Sequence, residues 1–406
     1  MKSIFKHSFL AILLIFLSDL GVFNLTHAQL PVKNIGIVVD GPWERNNSII
    51  QLSQQEILDL LQGEFDIKFP GDKYIVADWS ISAIKSAIDR LLADPEVDIL
   101  ITWGVIGSNE VAHRQNLPKP VIAPVIIDPA VQGLQKTADG SSGIHNLNYV
   151  SLPSTFARDL KILQEIVPFQ KVSILLNKRF VDAIPNIIDN VRTAITEIGA
   201  IPDLIPIDKT VDEFLDTLPA DVEAVYIAPL IHLPSEEMDK LVQGLIKYKL
   251  PSISLFGPQD VQRGLMASAS KDFVPRLSRR IALNIQKILL GTDPGSIPVA
   301  FSAGARLTIN MSTVRAINIW PSWAIMNEAV LLDEQKEEIQ RKLTLKSVVH
   351  EAIRVNLDLA AKNYFVEAGA QNLKQARSIL LPQLDISATG LLIDDDRAEA
   401  SFGSQP

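Results

Sequence analysis

From Pro31 onward, short apolar runs alternate with segments of helical spacing, and this alternation restricts the chain more than any other feature. Asn34 to Asp40 is a continuous apolar run ending in an acid, which is how a parallel strand buried on both faces reads. Ile49, Leu52, Ile57, Leu60 and Leu61 then recur at helical spacing and stop at Gly63. Strands follow near Tyr74 to Asp78, Val97 to Trp103 and Val121 to Ile127. Helices are predicted from Ser82 to Ala93, on one face of which lie Ile84, Ile88, Leu91 and Leu92, and near Asn109. Such a βαβα order implies a mostly parallel sheet covered by helices on both faces.

The unit then repeats. A helix from Ser154 to Val167 leads to a strand from Lys171 to Asn177, and a helix from Ile184 to Ile198 ends at Gly199 as its cap. Strands near Asp203, Ala224 to Ala228 and Ser252 to Phe256 alternate with helices over Val211 to Leu218 and Ser235 to Tyr248. Two successive α/β units of this size predict two lobes rather than one large sheet. The polar, turn-rich stretch from Gly140 to Pro153 places the crossing near 145–153. A chain of 406 residues has room for both lobes and a further segment.

The first 28 residues differ in kind. Lys2 and Lys6 precede an apolar stretch from Phe9 to Leu17, and Thr26, His27 and Ala28 form a small-x-small end, the order of a secretory signal peptide. The apolar run is shorter than a bilayer span, and Asp19 interrupts it. A formal charge of −9 without any basic stripe argues against a nucleic-acid partner. The absence of Cys excludes disulfides, thiolate metal sites, a Cys nucleophile and a lipidated N-terminal Cys.

Several runs resemble the type I periplasmic-binding fold, and within it the ABC-transporter substrate-binding family that includes aromatic amino-acid receptors. They are Ile35 to Asp40, Ile101 to Gly104, Ile126 to Pro129, Val172 to Asn177, Arg263 to Leu265, Gly291 to Pro298 and Leu307 to Ala316. The resemblance spans Pro31 to Leu332. It implies an α/β, two-lobed domain with parallel sheets over 29–332. Where the family has a His-Pro-type loop after the first strand, this chain has Gly41, Pro42, Trp43, Glu44 and Arg45, so an amino-acid ligand is not carried over.

A second resemblance begins near Leu343. Leu343 to Arg354, Asn356 to Leu359, and Gln375 to Leu384 with its Leu-Leu-Pro-Gln-Leu ending are similar to the start of TolC-like outer-membrane efflux proteins. Pro382 would end the helix, and Leu384, Ile386, Ala388 and Gly390 then alternate with polar residues as a barrel strand does. Leu357 stands where that family often has Pro. On this reading 333–342 is a linker and 343–392 is the start of a truncated efflux module, an α-helical segment. Residues 393–406 are expected to be disordered. One strand cannot close a barrel, so the chain reads as a fragment of a longer fusion. An ordinary amphipathic C-terminal helix is the plainer alternative.

In open parallel sheets, ligands collect at the carboxyl ends of the strands. The residues there are Asp40, Trp43, Trp103, Gly104, Ser108 and Asp128 in the first lobe, and Asn177, Pro229, Gln259 and Asp260 in the second. A helix starting near Ser108 would offer free N–H groups to a carboxylate or phosphate. Trp43 and Trp103 could stack on an aromatic or apolar ligand, and Asp40 or Asp128 could hold an ammonium group. The structural alternative makes Asp40 and Asp128 turn caps and Trp103 a core residue. His113, His145, His232 and His350 lack metal-ligand spacing, and no nucleophile elbow, phosphate loop or dinucleotide fingerprint occurs. No catalytic residue, metal or cofactor is expected.

Two functions from different classes fit. One is a periplasmic receptor for a small solute, with amino acids and carboxylates among the candidates. The other is an efflux component whose binding-like domain has no ligand and docks a partner in the periplasm. The implied partners are an inner-membrane transporter or a periplasmic adaptor. A full-length form would be exported and trimeric in the outer membrane.

Overall fold

The computed structural model describes residues 30–152, 155–219, 221–302, 304–333, 345, 348–349, 352 and 356–380. The stretch read as a signal peptide, almost all of the segment read as a linker over 333–342, the turn and strand expected from Pro382, and residues 393–406 lie outside these residues. The chain divides into two units, one ending at Gln335 and the other beginning at Lys336.

The first unit holds two sheets. The first sheet contains β1 (Val32–Val39), β2 (Asp66–Lys68), β3 (Tyr74–Val76), β4 (Ile99–Trp103), β5 (Val121–Ile126) and β6 (Leu147–Ser151). Its order is β2-β1-β4-β5-β6, with β3 continuing beside β1, and all pairings are parallel. The apolar runs read from the sequence sit here because both faces are covered. Ile35, Ile37, Val38, Ile99, Leu100 and Ile101 are all buried. One face carries α1 (Asn46–Leu61), and the other carries α2 (Ile81–Ala93) and α3 (Val105–Ala112). Ser80 caps α2 by accepting from Ala83 N–H at 3.2 Å.

The second sheet has the order β13-β12-β11-β10-β9-β7-β8. Its strands are β7 (Lys171–Asn177), β8 (Ile201–Ile207), β9 (Ala224–Ile227), β10 (Ser252–Ser254), β11 (Ala267–Ser270), β12 (Ala305–Asn310) and β13 (Val330–Leu332). Among the described residues of this sheet, only β11 and β12 pair antiparallel. Helices α4 (Phe156–Ile166), α5 (Lys178–Ala183), α6 (Ile187–Glu197), α7 (Asp212–Asp216), α8 (Ser235–Lys247) and α9 (Pro258–Arg263) connect its strands. The helix expected over Ile184 to Ile198 is α6, and a short helix that was not expected, α5, precedes it. Pro185 lies between α5 and α6, and α5 starts straight from the end of β7 under an Asn177 cap.

Helix α10 (Val274–Leu289) changes the two-unit picture. It follows β11 of the second lobe in sequence but packs on the first, with Leu277, Ile281, Ala282 and Ile285 fully buried against Ile35, Ile37 and α1. Ser53 and Ser278 hydroxyls pair at 2.7 Å between α1 and α10. The chain therefore passes between the lobes three times: after β6, between β11 and α10, and on the way to β12. Part of the 145–153 stretch read as a crossing is strand β6, whose turn-rich approach hides a short buried run of Leu147, Tyr149 and Val150. Helices α11 (Met311–Ile317) and α12 (Trp323–Glu328) complete the second lobe.

In the second unit, α13 (Leu357–Ser378) starts at an Asn356 cap, whose side chain accepts from Asp358 and Leu359 N–H. No described helix is long and apolar enough to cross a membrane.

Candidate functional site

Both sheets reverse their strand order beside the first strand of their lobe, between β1 and β4 and between β7 and β9. At such a switch point the loops diverge and leave a crevice beyond the carboxyl ends. Asp40 follows β1 and Trp103 ends β4, while Asn177 ends β7 and Pro229 follows β9.

Asp40 is 2% exposed, and its carboxylate turns inward to α3. Oδ2 accepts from Ile106 N–H at 2.7 Å and Oδ1 from Gly107 N–H at 2.8 Å. The helix start that the sequence offered to a ligand anion is at Val105, and this protein's own acid fills it. Asp40 therefore caps a helix instead of pointing at an ammonium group. Burial pushes its carboxyl up to about 7, against the opposing pull of the two N–H groups. Gly104 makes the cradle possible: a Cβ there would overlap the Asp40 carboxylate, and its φ of +149° is open to glycine. Ser108 is also internal, donating to Thr102 O at 3.0 Å and accepting from Val125 N–H at 3.2 Å.

The remaining acids are engaged in the same way. Asp128 accepts from Ala130 and Val131 N–H and caps its turn. Asp260 accepts from the Ser254 hydroxyl at 2.5 Å, and burial pushes its carboxyl up while Ser254, Arg263 and Arg45 oppose this. Gln259 donates to Asp272 at 2.9 Å. Pro229 is half-buried just past β9.

The aromatic side chains are where the lobes meet. Trp43 of the first lobe stands edge-on to Phe256 of the second, ring centroids 5.5 Å apart at 81°. The Arg45 guanidinium lies 6.0 Å from each of these two centroids. Trp43 packs on the apolar face that contains Trp103, as do Phe273 and Phe301 from two of the crossing segments. Trp103 is 8% exposed, and its indole N–H has no partner among the described residues; the same holds for the Asn177 Nδ2 amide at 1% exposure.

On the rim, Glu44 accepts from Ser235 and from Arg263 Nη2, the latter at 3.1 Å, and Arg263 also meets Asp239. At another edge Trp79 faces His232 across the lobes, centroids 6.3 Å apart. Trp79 holds φ at +69°, an uncommon conformation for so large a residue, with its N–H donating to Asp40 O at 2.8 Å. A side chain at Gly41 would overlap its indole. His232 Nε2 lies 3.0 Å from Ile207 O, so it carries the proton, and burial pulls this imidazole down.

Sequence reasoning missed Arg45, Trp79, Phe256, Phe273 and Phe301. Phe256 was within reach of the rule that selected the others, because it lies just past β10. Among the described residues no group of three or more His, Asp or Glu could hold a metal ion.

No family model matches the sequence. No curated protein matches it either. Solved structures do. An ABC domain from Streptococcus pneumonia in complex with L-Trp is 17% identical with a TM-score of 0.61, covering 74% of this chain and 99% of that one. A conserved domain protein from Vibrio cholerae is 17% identical with a TM-score of 0.60 over the same shares. The ligand-free, open form of a Clostridium difficile substrate-binding protein with adhesive properties is 16% identical, with a TM-score of 0.51. These likenesses show the fold: two α/β lobes of the type I periplasmic-binding kind, as found in ABC-transporter substrate-binding proteins. Nothing in them supports the TolC-like resemblance of the C-terminal segment.

Proposed function

We propose that residues 30–332 form a non-enzymatic receptor for a small solute, working outside the cytoplasm and serving an ABC-type importer. The observation that carries this reading is the pair Trp43 and Phe256, one from each lobe, meeting at 5.5 Å over the carboxyl ends of both sheets. Residues that meet only when two lobes close can sandwich a ligand between them and hold the closed state. The fold supports the same reading, because the similar structures include one in complex with L-Trp and one substrate-binding protein. Asp40, Gly104, Ser108 and Asp128 then act as scaffold, and Trp43, Trp103, Asn177 and the Asp260 region as the lining.

Calorimetric titration of the full chain against a panel of amino acids, sugars and small carboxylates tests the reading. Saturable heat from one class, with a matching rise in melting temperature, is the expected result. Silence across the panel in both measurements removes it. The efflux component gains no support from the fold comparisons.

A further inference from the structure

Independently of which solute the cleft takes, we infer that the outer face of α10 docks the first lobe on an anionic phospholipid bilayer. One side of α10 is fully used, with Leu277, Ile281 and Ile285 buried in the first lobe. The opposite side carries Arg276, Arg279, Leu283, Lys287 and Leu290, all of them exposed. At 3.6 residues per turn these five fall within an arc about 80° wide and form a line about 21 Å long. Their neighbours mark where the arc ends. Arg280 turns to one side and donates to the Pro298 carbonyl, and Gln286 turns to the other and donates to Glu64.

Two features separate this arc from an ordinary solvated helix face. The first is charge. The chain as a whole carries −9, but the run from Lys271 to Arg306 holds six basic residues and two acids, and α10 itself has no acid. A helix is stabilised by acids in its first turn and by cations in its last. Arg276 stands in the first turn of α10 and Arg279 in the second, so their charges oppose the helix dipole and serve something outside the helix. Arg279 meets the acid Glu56 only at 3.4 Å, with its own side chain 51% exposed. The second feature is the leucine pair. Single exposed leucines are ordinary, but Leu283 and Leu290, 38% and 66% exposed, lie seven residues apart on the line that carries the three cations. An acidic protein would have to shape a groove around this convex line. A bilayer needs no matching shape: its phosphates meet the cations, and the acyl boundary just beneath takes the leucines. The basic charge, the leucines and the straight line together favour the lipid surface.

The test is flotation of the full chain with vesicles of phosphatidylglycerol and phosphatidylcholine in equal parts, and with vesicles of phosphatidylcholine alone. Binding to the anionic vesicles is expected to be at least about tenfold stronger, and to fall as NaCl rises from about 50 to about 500 mM. Arg279→Gln combined with Lys287→Gln is expected to weaken it about tenfold or more, and Leu290→Ser about threefold or more. Melting temperatures should not change, because these side chains are exposed. Arg279→Lys combined with Lys287→Arg keeps both charges and should bind like the wild type. The full chain also carries α13 and the stretch read as a signal peptide, so the α10 variants decide the matter. Wild-type binding by the Gln pair and the Ser variant overturns the inference. Equal binding to the two kinds of vesicle, binding to neither, or loss of binding in the charge-keeping pair overturns it too. The solute titration is read separately, so each of these outcomes leaves the receptor reading standing.

Discussion

A carboxylic acid with no access to water and two N–H groups aimed at it is under opposing pressures, and at Asp40 burial wins. Its carboxyl stands near 7 in the fold, where an exposed aspartate stands near 3.8. Between those values the folded state holds a proton that the unfolded state has released. Stability from this group is therefore greatest below the unfolded value and is lost as pH rises through about 7. Asp40→Asn removes the titration and turns an amide donor towards one of the α3 N–H groups. It should cost about 1–3 kcal/mol of unfolding free energy and flatten the loss of stability between pH 5 and 8, as urea melts at both values would show. A wild-type slope in the variant would place the titrating group elsewhere. The position of Asp40 was legible, because an acid at the end of a buried strand marks a carboxyl end. Its orientation was not, because that depends on Gly104 and α3, which arrive more than sixty residues later. Trp79 was harder still. Nothing in the sequence around it signals a left-handed backbone at a tryptophan whose indole lies over Gly41 and faces His232 across the gap.

At the scale of elements, strand β8 shows how an edge is kept quiet. Ile201 N–H donates to Gln170 O at 2.7 Å, so Ile201 and every second residue after it turn towards β7. The outward positions are 202, 204 and 206, and Pro occupies the first and last of them. Two of the N–H groups that an incoming strand would need are missing. Replacing both prolines by Val should leave the fold intact and produce concentration-dependent self-association by analytical ultracentrifugation; a strictly monomeric variant would remove this role for the prolines. The strands themselves were readable as apolar runs, and most helices as periodic ones. Which lobe a helix joins was not, since alternation of strand and helix does not encode which sheet receives the next element. Helix α10 is the case in point: its apolar stripe of Leu277, Ile281 and Ile285 is plain, but its partner helix lies over two hundred residues upstream.

Across the whole first unit, two kinds of contact hold the lobes together, and magnitudes separate them. Glu44 and Arg263 sit on the rim with the Glu44 side chain 59% exposed, a setting in which an ion pair contributes about 0–1 kcal/mol. Phe180, Ile184 and Ile187 of the second lobe instead belong to the same apolar cluster as Ile106, Val111 and Val121 of the first. Full burial of one such side chain is worth about 1.5–3 kcal/mol, and even the share lost on opening exceeds the rim pair. Glu44→Gln should thus leave the radius of gyration in X-ray scattering unchanged. Phe180→Ser should increase it, reporting a larger open fraction, and the reverse order would show that the rim controls closure.

The pairing of α1 with α10 also has a consequence in time. Residues 53 and 278, whose hydroxyls touch, are 225 positions apart, and the apolar face between them stays bare until Val274–Leu289 has been made. A chain synthesised from its N-terminus thus carries an unfinished first lobe through most of its own production. Contacts this distant in sequence form late and slowly, and the exposed Ile35, Ile37 and Ile57 are sticky meanwhile. The first lobe to begin cannot close its core until most of the second has been made, so a chain of this design gains from a helper that keeps the early half unfolded until the late helix arrives.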